Sequence, residues 1–249
     1  MSSQYAVVTG AGTGIGQAVS LGLLNHGWSV ALLGRNPESL HETRSLAGEN
    51  RHQAMILSCD ITNPDEVKKT FDRIQSEWNR LDLLFNNAGT NTKGLLEDIS
   101  YEAWRSVIDT NLTGSFLCTQ QAFKIMKAQS PQGGRIINNG SVSSEVPRPN
   151  SAPYTSSKHA MTGLTRSTSL DGRKYNIACG QIDIGNVDTT MAQSMKTGMP
   201  QANGAISIED TFDVKHVVDA VLYMSSLPLN ANVQFMTVMA TKMPFIGRG

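Results

Sequence analysis

The chain has 249 residues, with 21 Lys plus Arg against 21 Asp plus Glu, 39% hydrophobic and 17% charged residues, which describes a neutral, soluble, folded protein. A formal net charge of zero gives no electrostatic reason to expect nucleic acid or an anionic membrane as partner. At this length one core buries roughly 70–75% of the unfolded surface, so one domain of radius of gyration about 18 Å is the economical expectation. The charged fraction lies below the roughly 25% of ordinary domains, which points to surface hidden between subunits.

In chain order, short apolar runs rich in branched residues alternate with longer segments of helical period. Strands are predicted at residues 5–8, 29–33, 54–58, 81–85, 135–138, 177–182 and 233–238, and helices at 14–25, 37–47, 64–78, 101–130, 154–174 and 214–225. Two helix starts are marked by the same device: Asn36-Pro37-Glu38 and Asn63-Pro64-Asp65-Glu66 each supply a cap, a first-turn proline and an acid at the positive end of the dipole. Such alternation demands a parallel sheet with helices on both faces. No apolar run approaches the ~18 residues that span a bilayer. Residues 1–34 contain no charged side chain, so the basic head of a signal or transit peptide is missing. Cys59, Cys118 and Cys179 are widely spaced and read as small core hydrophobes in a reducing compartment. A cytoplasmic protein is expected.

The first candidate site follows the first strand: Thr9-Gly10-Ala11-Gly12-Thr13-Gly14-Ile15-Gly16. Glycines there permit a tight turn and let backbone amides approach a pyrophosphate, with the helix N-terminus aimed at its charge. A plain strand-to-helix connector is the alternative, and a Walker loop is excluded because no Gly-Lys-Ser or Gly-Lys-Thr follows. About 20 residues on, an acid would bind the adenosine ribose of NAD, but the chain has Gly34-Arg35. The Arg35 guanidinium suits a 2'-phosphate, which favours NADP; the alternative is an exposed arginine beside a capped helix. Asp60 is either an acceptor for the adenine amino group or a turn aspartate within Asp60-Ile61-Thr62.

The second site is Ser141, Tyr154 and Lys158. The last two stand four apart on a predicted helix, so both project from one face. A phenol is a poor proton carrier at neutral pH, and an ammonium beside it favours the phenolate. Tyr154 would pass a proton to or from a carbonyl oxygen while hydride moves to or from the nicotinamide, and Ser141 would hydrogen-bond that oxygen. A Tyr and Lys at this spacing also occur by chance on many helices.

Taken together these motifs resemble the classical short-chain dehydrogenase/reductase (SDR) family over nearly the whole chain. The match runs through the Thr9 to Gly16 loop, Asn86-Asn87-Ala88-Gly89, Asn111, Ser141, Tyr154-x-x-x-Lys158 and Ile184-Gly185-Asn186-Val187-Asp188-Thr189. The resemblance implies one domain over residues 1–249. Its fold would be a doubly wound, Rossmann-type α/β fold with a seven-stranded parallel sheet. The dinucleotide-binding half would span about 1–130 and the catalytic and substrate-binding part about 131–249. It implies a catalytic tetrad of Asn111, Ser141, Tyr154 and Lys158, in which Lys158 also binds the nicotinamide ribose and Asn111 holds a water on a proton path. A polar residue at a helix bend is the other reading of Asn111. Cofactor contacts are implied at Gly10, Thr13, Gly14, Ile15, Gly16, Arg35, Asp60, Ile61, Asn87, Ala88, Gly89, Tyr154, Lys158, Gly185, Val187 and Thr189. Expected with them are NADP(H) in preference to NAD(H), a small carbonyl or alcohol substrate, and a homotetramer or homodimer. Apolar faces of the long helices at 101–130 and 154–174 would be buried between its subunits.

Two departures stand out. Ile184-Gly185 replaces the usual Pro-Gly, and the tail from Met239 lacks the usual aspartate and glycine pair; it is expected either to fray or to cover a neighbouring subunit's cleft. Specificity should reside in residues 188–210, where Met191, Met195 and Met199 recur at helical spacing, while Lys196 stands alone and Arg148 is merely a loop neighbour. His26, His41, His52, His159 and His216 form no ligand pattern, so no metal is expected. The rival to an enzyme is a catalytically silent NADP-binding regulatory protein of the same fold. The joint presence of the four tetrad residues favours the enzyme. An epimerase or dehydratase is a second rival, set aside because such relatives carry a larger substrate domain.

Overall fold

The computed structural model describes residues 4–189 and 198–246. Its strands are β1 (Gln4–Thr9), β2 (Trp28–Gly34), β3 (Ala54–Ser58), β4 (Leu83–Asn86), β5 (Gly134–Asn139), β6 (Ile177–Ile184), β7 (Met199–Pro200), β8 (Ile206–Ser207) and β9 (Phe235–Val238). Its helices are α1 (Gly14–Asn25), α2 (Pro37–Leu46), α3 (Pro64–Trp78), α4 (Tyr101–Ile108), α5 (Gly114–Ala128), α6 (Ala152–Gly172) and α7 (Lys215–Ser226). Seven strands form one parallel sheet in the order β3-β2-β1-β4-β5-β6-β9, and β7 and β8 form a small antiparallel hairpin of their own.

Because successive strand residues point to opposite faces, the doubly apolar strands build two cores. Val8, Leu32, Leu83 and Ile182 pack with Leu23 of α1, Leu40 of α2 and Val221 of α7 on one face. Val7, Leu33, Leu84 and Cys179 pack with Phe71 of α3 and Ala122 of α5 on the other. The expected caps form: Asn36 accepts from the Glu38 and Ser39 N–H groups, and Asn63 from those of Asp65 and Glu66. After β3 the chain crosses back to lay β4 beside β1. That reversal opens a crevice at the carboxyl ends of the strands.

The structure departs from the sequence reading at several elements: the last strand spans only Phe235–Val238, and the β7–β8 hairpin is unexpected. The predicted helix over 101–130 is interrupted by a π-turn at Asp109–Thr113, in which the Gly114 N–H bonds to the Asp109 carbonyl. The fourth strand starts at Leu83, not at 81, because the Gln129 side chain takes both the N–H and the carbonyl of Leu81. The tail packs on its own body through Phe245, and only Ile246 beyond it stands exposed among the described residues. Ala240 and Met243 are buried in a small cluster with Val142 and Phe212, and a side chain at Gly185 would run into Met243 Sδ at 2.5 Å. The glycine of the Ile184-Gly185 pair is what lets that tail approach.

Arg135 ties the far end of the fold together. Its guanidinium is buried, which lowers its pKa, and it donates to the Leu227, Pro228 and Ala231 carbonyls just beyond α7 and to Asn232 Oδ1. Replacing it would leave three of these acceptors without a donor among the described residues, the Pro228 carbonyl keeping the Ala231 N–H. Arg135→Met is expected to cost ~3 kcal/mol and lower the thermal midpoint by about 6–12 °C. An unfolding scan that shows a shift below ~2 °C would contradict this role.

Candidate active site

A cleft of about 600 Å³ runs along the carboxyl ends of the central strands. One end is the glycine turn. Gly10 and Gly14 adopt φ of +66° and +56°, which favour glycine, and a side chain at Gly10 would stand 2.9 Å from the Ala88 Cα. Gly16 does not line the cleft; a Cβ there would overlap the Gly10 carbonyl, so its role is to let α1 close against the turn.

The start of α1 differs from its neighbours in the way an anion site requires. Thr13 gives no side-chain cap and the first turn holds no acid, whereas α2 and α3 are capped by asparagine and carry acids there. Its first N–H groups therefore remain to meet an anion at the cleft wall. This uncapped, glycine-lined helix start fits a pyrophosphate, and a nicotinamide dinucleotide fits the residues present.

The cleft is also lined by Thr13, Ile15, Arg35, Asp60, Ile61 and the Asn87–Gly89 turn, where the adenosine is expected. Arg35 is exposed, and its guanidinium makes no hydrogen bond or ion pair among the described residues. Asp60 is a turn aspartate first: its Oδ1 accepts from both the N–H and the hydroxyl of Thr62. The Asn87 stretch is sewn to β1, since the Thr9 hydroxyl accepts from the Asn87 and Ala88 N–H groups and Asn87 Nδ2 donates to the Thr9 carbonyl.

Ser141, Tyr154 and Lys158 line the same cleft, as do Gly185, Val187 and Thr189; Thr189 Cγ2 would lie 4.0 Å from a Cβ at Gly14, so this last stretch reaches back to the glycine turn. Lys158 is buried; its Nζ donates to the Asn139 carbonyl at 2.7 Å and lies 5.5 Å from the centre of the Tyr154 ring. Ser141 caps a short 3₁₀ turn at Val142–Ser144, and its Oγ accepts from the Ser143 N–H at 3.1 Å. That leaves the hydroxyl proton without an acceptor among the described residues. Asn111 sits behind the wall within the π-turn. Its Oδ1 accepts from the Thr90 N–H, and its Nδ2 donates to the Thr90 carbonyl and the Ser157 hydroxyl. The side chain thereby ties the segment after β4 to α6.

The substrate side contains a network that sequence reasoning missed. Arg148 pairs with both oxygens of buried Glu209 and also donates to Asn186 Oδ1. Asn186 Nδ2 and Gln201 Nε2 donate to the same carboxylate. Arg148 is thus no mere loop neighbour; it locks the β7–β8 hairpin to the segment after β5. Met199 on this hairpin is buried at the cleft edge, where the Lys93 ammonium reaches its Sδ. Met191, Met195 and Lys196 lie outside the described residues. The one sequence signal for this network was an acid, Glu209, in a stretch poor in charge.

Burial alone would raise the Glu209 carboxyl, but hydrogen bonds from Arg148, Gln201 and Asn186 and the Arg148 charge outweigh it and bring it down from 4.5 to about 2. A carboxylate lowered on folding stabilises fully above its ordinary value and loses that contribution as pH falls toward the folded one. The window here runs from about pH 4.5 down to about pH 2, and the contribution is on the order of 3 kcal/mol. Urea midpoints followed across this window should fall more steeply for the native chain than for Glu209→Gln. Parallel curves would show that the pair carries no such weight.

A family model described as short chain dehydrogenase matches residues 4–200. The 3beta-hydroxysteroid dehydrogenase of Mediterraneibacter gnavus is 35% identical over 188 residues, 75% of this chain and 67% of that one. The 2,3-dihydro-2,3-dihydroxybenzoate dehydrogenase of Bacillus subtilis is 30% identical over 238 residues, 91% of this chain and 90% of that one. A crystal structure of actinorhodin polyketide ketoreductase with NADPH superposes with a TM-score of 0.86 at 27% identity, covering 95% of this chain and 96% of that one. With its seven-stranded parallel sheet and glycine-lined cleft, the chain belongs to the short chain dehydrogenase family, as an NAD(P)-dependent oxidoreductase of CH–OH groups.

Proposed function

We propose that the cleft exchanges hydride between NADP(H) and a small ketone, aldehyde or secondary alcohol, with Asn111, Ser141, Tyr154 and Lys158 as its working group. The observation that carries this reading is the buried Lys158 ammonium beside the Tyr154 ring, in the cleft that begins at the uncapped start of α1. When bound, the nicotinamide supplies or accepts the hydride. In reduction Tyr154 donates its phenolic proton to the carbonyl oxygen; in oxidation it takes the alcohol proton. Lys158, its Nζ anchored on the Asn139 carbonyl beside the Tyr154 ring, offers its remaining protons to the ribose hydroxyls. Ser141, its Oγ already accepting from Ser143, donates to the substrate oxygen and holds it in place. Asn111 keeps Thr90 and Ser157 in register, and so keeps α6 against the cleft wall.

Preference for NADP over NAD rests on Arg35, exposed at the end of β2 where an acid would repel a 2'-phosphate. Gly10, Thr13, Gly14, Ile15, Asp60, Ile61, Asn87, Ala88, Gly89, Gly185, Val187 and Thr189 are proposed to contact the cofactor; all of them border the cleft. The relatives, two dehydrogenases and a ketoreductase, agree with carbonyl and alcohol chemistry. A single domain over the whole chain is proposed. The cytoplasm is its proposed location, supported by three buried cysteines free of disulfides. A homotetramer or homodimer is proposed because Tyr101, Phe116 and Leu170 expose apolar surface on α4, α5 and α6.

Neutral carbonyls such as cyclohexanone, 2,3-butanedione and a 3-oxo ester, run with NADPH and NADH and followed by nicotinamide absorbance, test the reading directly. Tyr154→Phe should lower kcat by ~10²–10⁴ while leaving NADPH affinity within about twofold of the native value. A variant that keeps its turnover would refute the proton transfer. Arg35→Ala should weaken NADPH by ~10–100-fold and NADH by less than about twofold; equal losses would remove Arg35 from phosphate recognition.

A further inference from the structure

β6 is buried along its whole length, and strands of that kind carry apolar side chains on both faces. Asp183 breaks the rule. It is 5% exposed, and no cation lies within 4.0 Å of it among the described residues. A buried carboxylate without a counter-charge is costly unless donors surround it. Its Oδ1 receives three: the Ser141 N–H at 2.9 Å, the Ser144 hydroxyl at 2.9 Å and Gln181 Nε2 at 2.8 Å. Two of these belong to the turn that carries the Ser141 hydroxyl.

The fit is tight on the opposite side as well. A Cβ at Gly140 would overlap Asp183 Oδ1, so the chain reaches the carboxylate only because residue 140 has no side chain. Gln181 extends the link to the second half of the site. Its Nε2 also donates to the Thr162 hydroxyl and its Oε1 accepts from Thr165, both on α6, the helix of Tyr154 and Lys158. One buried oxygen therefore fixes the Ser141 turn and, through Gln181, registers it against α6.

We propose that Asp183 is a positioning residue for the reaction: by holding the Ser141 backbone N–H it aims the Ser141 hydroxyl at the substrate oxygen. This rests on the reading that Ser141 donates to that oxygen. Asp183 is not among the residues that line the cleft; it acts through Ser141.

A double-mutant cycle separates aiming from general support. With NADPH and the panel carbonyl of highest turnover, Asp183→Ala, which removes the accepting oxygen, should lower kcat by ~10-fold or more while the KM for NADPH stays within about twofold. In a Ser141→Ala background the same substitution should change kcat by less than about twofold, because the hydroxyl to be aimed is gone. Equal losses in both backgrounds, or no loss in the single variant, would overturn the proposal. Should Asp183→Ala fail to fold, Gly140→Ala perturbs the same contact from the other side and should show the same dependence on Ser141. If Ser141→Ala alone keeps its kcat, the role of Ser141 itself fails, which is distinguishable because Tyr154→Phe still tests the proton transfer.

Discussion

An ammonium removed from water must find acceptors, and Lys158 finds the Asn139 carbonyl at the last residue of β5. This bond fixes where α6 sits relative to the sheet. Tyr154 lies one turn earlier on the same helix, so anchoring the lysine also sets the phenol beside it. Two residues past Asn139 the chain turns into the 3₁₀ segment capped by Ser141. The charge, the phenol and the hydroxyl are thereby referred to a single strand end, which is why their arrangement survives in a cleft otherwise bounded by loops.

The parallel sheet makes that convergence possible. All of its strands end on one side, and the crossover from β3 to β4 leaves a crevice there instead of a packed layer. Within the crevice the walls divide the work. The glycine turn and the uncapped start of α1 offer backbone donors to an anion. The opposite wall is held by Arg148, Glu209 and Asn186, so the β7–β8 hairpin is fastened at its base by a buried ion pair. A buried pair of that kind adds little stability over an apolar one, but losing one partner is costly.

Features encoded locally were legible in the sequence. The Asn-Pro starts of α2 and α3 carry their own caps, the two apolar faces of β2 are visible as an unbroken run from Val30 to Leu33, and Tyr154 and Lys158 share a helix face by spacing alone. What escaped depends on pairings formed only in the folded chain. Arg148 meets Glu209 across 61 residues, and Asp183 meets the Ser141 N–H across 42. The π-turn was legible only as a bend, one of two readings of Asn111, because Asp109 to Thr113 are compatible with an ordinary helix; the extra residue is tolerated where Asn111 bonds to Thr90 and Ser157. The tail escaped because its apolar residues have no period, and their partners, Val142 and Gly185, are distant in sequence.

The central claim is that the Lys158 ammonium organises both the cofactor and the proton carrier. A single-turnover, rapid-mixing measurement of nicotinamide oxidation in Lys158→Met tests it most directly. The account predicts weaker NADPH binding together with a hydride-transfer rate lowered by ~10²-fold or more, since one charge serves both steps. A variant that transfers hydride at the native rate once NADPH is saturating would contradict it.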